Sequence, residues 1–169
     1  MTEPSITIRS ETADDAVAIE RLYERTFGPG RLAKTAYRLR EGAEHRLELS
    51  FTARIGTLLI GSVRLTPVRI GDAKALLLGP LTVEPPFRAR GIGRALIARA
   101  LAEAKARGHQ LVVLVGDEPY YGRDGFKCVP AGRAVMPGPV DPARVLVCEL
   151  QEGAFANVSG PIRPDYDAR

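Results

Sequence analysis

The sequence predicts an α/β fold of the α+β type: one domain around a mixed sheet, with an antiparallel N-terminal meander, a parallel βαβ unit and a closing C-terminal hairpin. Three observations carry this. Alternating or apolar strand runs separated by tight-turn residues fill the stretch from Leu49 to Val83. A helical run from Gly91 to Arg107 then leads to Leu111–Val115, a continuous β-branched run of the kind covered on both faces in a parallel pair. Two further strand runs, Phe126–Val129 and Val145–Leu150, close the chain.

Along the chain, Ile6 and Ile8 alternate with polar neighbours in a half-buried strand. Thr12 and Asp15 form a capping box ahead of Ile19, Leu22, Tyr23 and Phe27 at helical spacing, and Gly28 and Pro29 stop that helix. A second, shorter helix is expected over Leu32–Arg40, ended by Gly42. Leu49, Phe51 and Ala53 alternate up to a turn at Gly56; Leu59–Ile70 returns, its parity slipping near Pro67, which suggests a bulge or an edge. After a turn at Gly71 and Asp72, Ala75–Val83 is an apolar strand whose Gly79 and Pro80 mark a break in the ladder. Asp117 is placed to cap a short helix over Pro119–Arg123 that stops at Gly125. The tail from Gly153 reads as irregular, so the core is expected over about residues 5–150 of one domain spanning 1–169.

With 169 residues and 45% hydrophobic content, the chain is long enough for a core without disulfides or structural metal. No run reaches the roughly 20 apolar residues of a membrane span, and the N-terminus is polar, so no membrane partner is expected. Cys128 and Cys148 are too few and too far apart for a disulfide framework or a metal cluster; they read as small buried residues of a cytoplasmic protein. The net charge of +4 comes from twenty arginines and four lysines. These are scattered among acids except at Arg88, Arg90 and Arg94, which argues against nucleic acid as a partner.

That arginine cluster sits at the chemistry-bearing junction, LLLGPLTVEPPFRARGIGRAL from Leu76 to Leu96. The first amides of a helix have no intrahelical partner and the helix dipole adds positive charge, so a strand-to-helix junction attracts a phosphate. Gly91 and Gly93 bare the backbone there, and the three arginines can add charge-assisted hydrogen bonds. No P-loop string exists in the chain. A dinucleotide fingerprint fails because Leu96 stands at its third glycine and Glu84–Arg90 is too long for its tight turn.

The ordered elements Val83 and Pro85 (V-x-P), Arg88, Gly91 and Gly93 (R-x-x-G-x-G), and Tyr121, Gly125 and Phe126 (Y-x-x-x-G-F) resemble the GNAT superfamily of N-acetyltransferases, over Ile6 to about Leu150. The strings L-G-P-L-x-V from Leu78 and G-D-x-x-Y-Y from Gly116 are most similar to bacterial predicted acetyltransferases. The resemblance implies acetyl-CoA as co-substrate, no metal, and transfer of its acetyl group to a small-molecule or peptide amine by direct attack in a ternary complex. It assigns the pyrophosphate to Arg88, Ala89, Arg90, Gly91, Ile92, Gly93 and Arg94, and the pantetheine arm to the strand edge at Leu81, Thr82 and Val83. Tyr121 takes the part of general acid. Glu84 and Glu118 are candidates for the base, beside a water chain, and Asp117 stands where the family often has asparagine. Phe27 and Arg31, in the loop between the first helices, are candidate acceptor contacts. Tyr120 is expected in the core, and His45 and His109 on the surface. A catalytically idle acyl-CoA sensor is the alternative; monomer and homodimer are both open.

Overall fold

The computed structural model describes residues 5–28, 35–41 and 43–167. Strand β1 (Ile6–Ser10) leads through a short 3-10 turn at Ala13–Asp15 into helix α1 (Ala16–Phe27). The expected cap is made: Asp15 accepts the Thr12 amide at 2.8 Å. Asp15 also binds the Arg54 guanidinium. Helix α2 covers Thr35–Glu41; the first turn expected from Leu32, and the Gly42 stop, lie outside the described residues.

The meander follows as β2 (Phe51–Ile55), β3 (Leu58–Ile70) and β4 (Ala73–Val83), all antiparallel. Helix α3 (Ile92–Ala106) crosses to β5 (Leu111–Val115), which pairs parallel to β4. A helical turn, α4 (Glu118–Tyr121), precedes β6 (Lys127–Cys128) and β7 (Ala134–Val135). The chain closes through β8 (Val145–Glu149), antiparallel to β5 and β6, and β9 (Gly160–Pro164). The main sheet runs β1-β2-β3-β4-β5-β8-β6.

Each face of the sheet is covered because its strands are apolar on both sides. Leu96, Ile97, Ala100 and Ala104 of α3 pack on Phe51, Val63, Leu76, Val112 and Leu114. On the opposite face Leu39 of α2 joins Val68, Leu77, Val113, Val147 and Ile162. Successive β5 residues thus alternate between the two cores, as a strand buried on both faces must. Helix α1 adds Ile19, Leu22 and Tyr23 against Leu59.

One expectation is narrowed and one corrected. At Pro67 the edge alternative holds and the bulge does not: Pro67 sits in register opposite Leu76, and the shifts in β3 fall elsewhere, one of them at Val63/Leu65. Pro67 is tolerated because β2 stops pairing at Val63 and β9 starts only at Val68, leaving one side of β3 locally without a strand partner. The tail is not irregular throughout: Gly160–Pro164 pairs antiparallel with Val68–Ile70 and buries Ile162.

Candidate active site

The site starts from one register error. Leu78 faces Leu65 and Leu81 faces Val63, so three steps along β4 match two along β3, and the extra residue falls at Gly79–Pro80. Leu76, Leu78, Leu81 and Val83 consequently all reach the α3 side of the core, the parity switching across the bulge. Gly79 has φ +134°, a conformation that side-chain-bearing residues rarely adopt.

Past the bulge the sheet opens. Parallel pairing of β4 with β5 is limited to Leu76–Val112 and Leu77–Val113, although β4 continues to Val83 and β5 to Val115. The Glu84 amide donates to the Ile60 carbonyl at 2.8 Å, toward β3. Main-chain groups alternate sides along a strand, so those of Leu81 and Val83 face the open gap, while those of Thr82 face β3. The Arg88 Nε on the Val83 carbonyl at 3.2 Å shows the outward turn directly.

At the head of the gap the arginine loop enters α3. Ala89 and Gly91 both have positive φ, 64° and 79°. Residues in this conformation between right-handed ones curl successive amides into an anion-binding concavity. The Ala95 amide makes the first bond back into the helix, to the Gly91 carbonyl at 3.0 Å, so the amides of Ile92, Gly93 and Arg94 precede the helical ladder. Arg88, Arg90 and Arg94 are exposed, and none is in an ion pair among the described residues. Gly93 lets Tyr120 lie close over the helix start: a Cβ there would stand 2.7 Å from the Tyr120 hydroxyl. Tyr120 is therefore not a core residue; 42% exposed, it lies over the first turn of α3.

On the α1 and α2 side the gap opens into a cavity of about 820 Å³, lined by Tyr23, Phe27, Arg40, Gly79, Leu81 and Tyr121 among others. The Tyr121 ring is wedged by Gly116, where a Cβ would fall 2.4 Å from it, and stands edge-on to Tyr120 and Phe126 at centroid distances of 4.9 and 6.0 Å. Burial, reinforced by Tyr120 and Asp117, pushes its phenol up to about 12, so it holds its proton throughout the neutral range.

Other candidates are placed differently. Glu84 does not line the cavity; its carboxylate is gripped by Arg25, Nε to Oε1 at 2.8 Å and Nη2 to Oε2 at 3.3 Å, tying α1 to the end of β4. Glu118 accepts the Cys128 amide, a structural role. Asp117 stands at the N-cap position just before α4 but makes no side-chain cap; it pairs with Arg144 at 3.2 Å. Phe27 lines the cavity, and Arg31 lies outside the described residues. Cys148 is buried as expected, whereas Cys128 is exposed on the short β6. His45 is no surface residue: it borders the cavity and bonds the buried Glu11 at 2.9 Å, which Arg64 holds at 2.7 Å from the other side.

Residues 16–126 match the acetyltransferase (GNAT) family, more than half of the chain. This chain belongs to the GNAT family. Its GNAT relatives include the Escherichia coli (strain K12) proteins "Uncharacterized N-acetyltransferase YhbS", 34% identical over 71% of this chain and 72% of that protein, and YjhQ, 30% identical over 75% and 72%. The crystal structure of Escherichia coli YhbS in complex with CoA superposes with a TM-score of 0.80 at 28% identity, covering 98% of this chain and 93% of that one. A Brucella melitensis GNAT acetyltransferase in complex with acetyl-CoA gives 0.59 at 29% identity, covering 90% and 99%. The GNAT match spans α1 through Phe126 and so includes the bulged β4, the arginine loop and the Tyr121 turn.

Sequence reasoning missed Arg40, His45 and Gly116. For Arg40 a signal existed: it stands four residues after Ala36, on a helical face that otherwise packs toward the core.

Proposed function

We propose that this chain is an acetyl-CoA-dependent N-acetyltransferase in which coenzyme and amine meet at the gap between β4 and β5. The observation that carries the reading is the early end of β4–β5 pairing beside the cavity that holds Tyr121. The pantetheine arm lies along the open edge of β4 as a surrogate strand, hydrogen-bonded to the main chain of Leu81 and Val83. The pyrophosphate sits in the amide concavity of Ala89–Arg94, with Arg88, Arg90 and Arg94 at its rim. Both sites fit what is present: an unpaired strand edge of the right polarity, and a curled loop whose cations carry no acidic partner among the described residues.

The thioester then faces the cavity, and an amine entering from the α1 and α2 side attacks it directly; holding the two together supplies much of the rate. A main-chain amide of the open β4 edge polarises the thioester oxygen as negative charge develops. Tyr121 gives its proton to the departing thiolate sulfur. Glu84, committed to Arg25, is not assigned the base; the amine's proton leaves through cavity water.

Isothermal titration with acetyl-CoA should show binding, and an acceptor screen read by free-thiol release should show turnover. Absence of acetyl-CoA binding overturns the proposal. For the whole protein we propose a small-molecule or peptide amine as partner, with neither nucleic acid nor membrane engaged; no helix among the described residues is long and apolar enough to cross a membrane.

A further inference from the structure

Among the described residues, Arg40 is a cation without a counter-ion. It sits near the end of α2, its Nε is shut off from solvent with no hydrogen-bond partner, and no ion pair reaches its guanidinium among the described residues. An unpaired charge in such a place is costly, and folded proteins ordinarily pair or expose it. Burial lowers its pKa to about 10, which leaves it charged at neutral pH, and the nearby Arg64 cation works in the same direction.

Its position is informative. One terminal nitrogen, Nη2, lies 2.6 Å from where a Cβ on Gly79 would stand, directly against the bulge that opens the sheet. Arg40 lines the same cavity as Tyr121, Tyr23 and Leu81. The Tyr23 hydroxyl, also lining that cavity, is buried beside the Ser62 side chain and makes no well-formed hydrogen bond among the described residues. Of the other arginines lining the cavity, Arg64 is paired with Glu11 at 2.7 Å and Arg144 with Asp117 at 3.2 Å, while Arg38 is exposed to solvent. Among the described residues, the Arg40 Nε and the Tyr23 hydroxyl are the buried donors on the cavity wall without a well-formed hydrogen bond.

We infer that Arg40 binds a carboxylate on the acceptor, so that the substrate class is an amine carrying its own carboxylate group, with Tyr23 as the second donor. This rests on the acetyltransferase reading above. A guanidinium offers two parallel N–H donors matched to the two oxygens of a carboxylate. Anchored against Gly79, such a substrate extends its amine toward the gap where the thioester lies. The arrangement also accounts for the charge left bare: the missing counter-ion arrives with the substrate.

The test compares the common L-amino acids with their carboxamides as acceptors, by thiol release, in the parent protein and in Arg40→Gln and Arg40→Lys, with acetyl-CoA affinity measured by titration for each. Carboxylates should be preferred over matched carboxamides by roughly tenfold or more. Arg40→Gln should raise KM for the carboxylate acceptor roughly 10- to 100-fold, leave the carboxamide rate and acetyl-CoA affinity unchanged, and be partly rescued by Arg40→Lys. Because Arg40 makes no native ion pair, Arg40→Gln should not lower Tm, which separates this role from a structural one. Carboxamides acetylated as well as the acids, a preference that survives in Arg40→Gln, or acetyl-CoA binding without turnover of any amino carboxylate each overturns the substrate class while the acetyl-CoA reading stands. Loss of acetyl-CoA binding in the parent protein overturns both.

Discussion

In the proposed mechanism Tyr121 works as a neutral acid, and burial keeps its phenol protonated. Removing only the hydroxyl in Tyr121→Phe should lower kcat roughly 100-fold or more and leave acetyl-CoA affinity intact, read by thiol release and titration. Its pKa rises from 10 unfolded to about 12 folded, so the unfolded chain loses this proton first. The associated stability is complete below pH 10 and disappears as pH climbs through 12. Urea melts at pH 9 and pH 11 should show that loss in the parent and a smaller one in Tyr121→Phe. Gly116 holds the ring in place by having no side chain. Gly116→Ala puts a methyl 2.4 Å from Tyr121, and should cut kcat at least as much as it cuts stability, with acetyl-CoA binding preserved.

At the scale of elements, two devices shape the cleft: the bulge in β4 and the ion-pair cluster that fastens the loop after β1 to β3. Burial alone would raise the Glu11 carboxyl, yet hydrogen bonds from His45 and Arg64 outweigh it and hold the group below its ordinary 4.5. A depressed carboxylate stabilises the fold above the unfolded value and loses that contribution as pH falls through the folded one. Glu11→Gln strands the half-buried Arg64 cation and should destabilise by about 3 kcal/mol at pH 7, the difference shrinking toward pH 3 in denaturant titrations. The bulge was legible in the sequence because glycine followed by proline cannot continue a regular ladder. The cluster was not, since Glu11, His45 and Arg64 come from three separate segments and no local spacing links them.

Across the whole molecule, β9 returns to the far half of β3 and brings Ile162 into the core beneath α2. Ile162→Ala should cost about 2–4 kcal/mol by denaturant unfolding, although the residue lies far along the chain from its strand partner Ile70 and from Leu39 of α2. Truncation before Gly160 should cost more, because it also leaves the Val68–Ile70 edge without its partner. The tail escaped sequence reading because Gly160, Pro161 and Pro164 carry the composition of a loop; the strand tolerates both prolines because it pairs with β7 only at Gly160 and Pro161 and with β3 only at Ile162–Pro164, so neither proline is paired on both sides. Local periodicity, capping and turn residues, by contrast, were enough for the meander, α1, α3, β5 and the place of the arginine loop between β4 and α3, because each of those signals acts over a few neighbouring residues. What the chain alone decided was therefore most of the list of elements, β7 and β9 excepted, and the stretch from Gly79 to Tyr121 as the place to look for chemistry. Only the folded structure decided that β4 and β5 part after two paired positions, that Glu84 is spent on Arg25, and that Arg40 faces the cavity with its charge unanswered. Those outcomes depend on which distant side chains meet in space, and pairing of that kind leaves no periodic trace in a linear sequence.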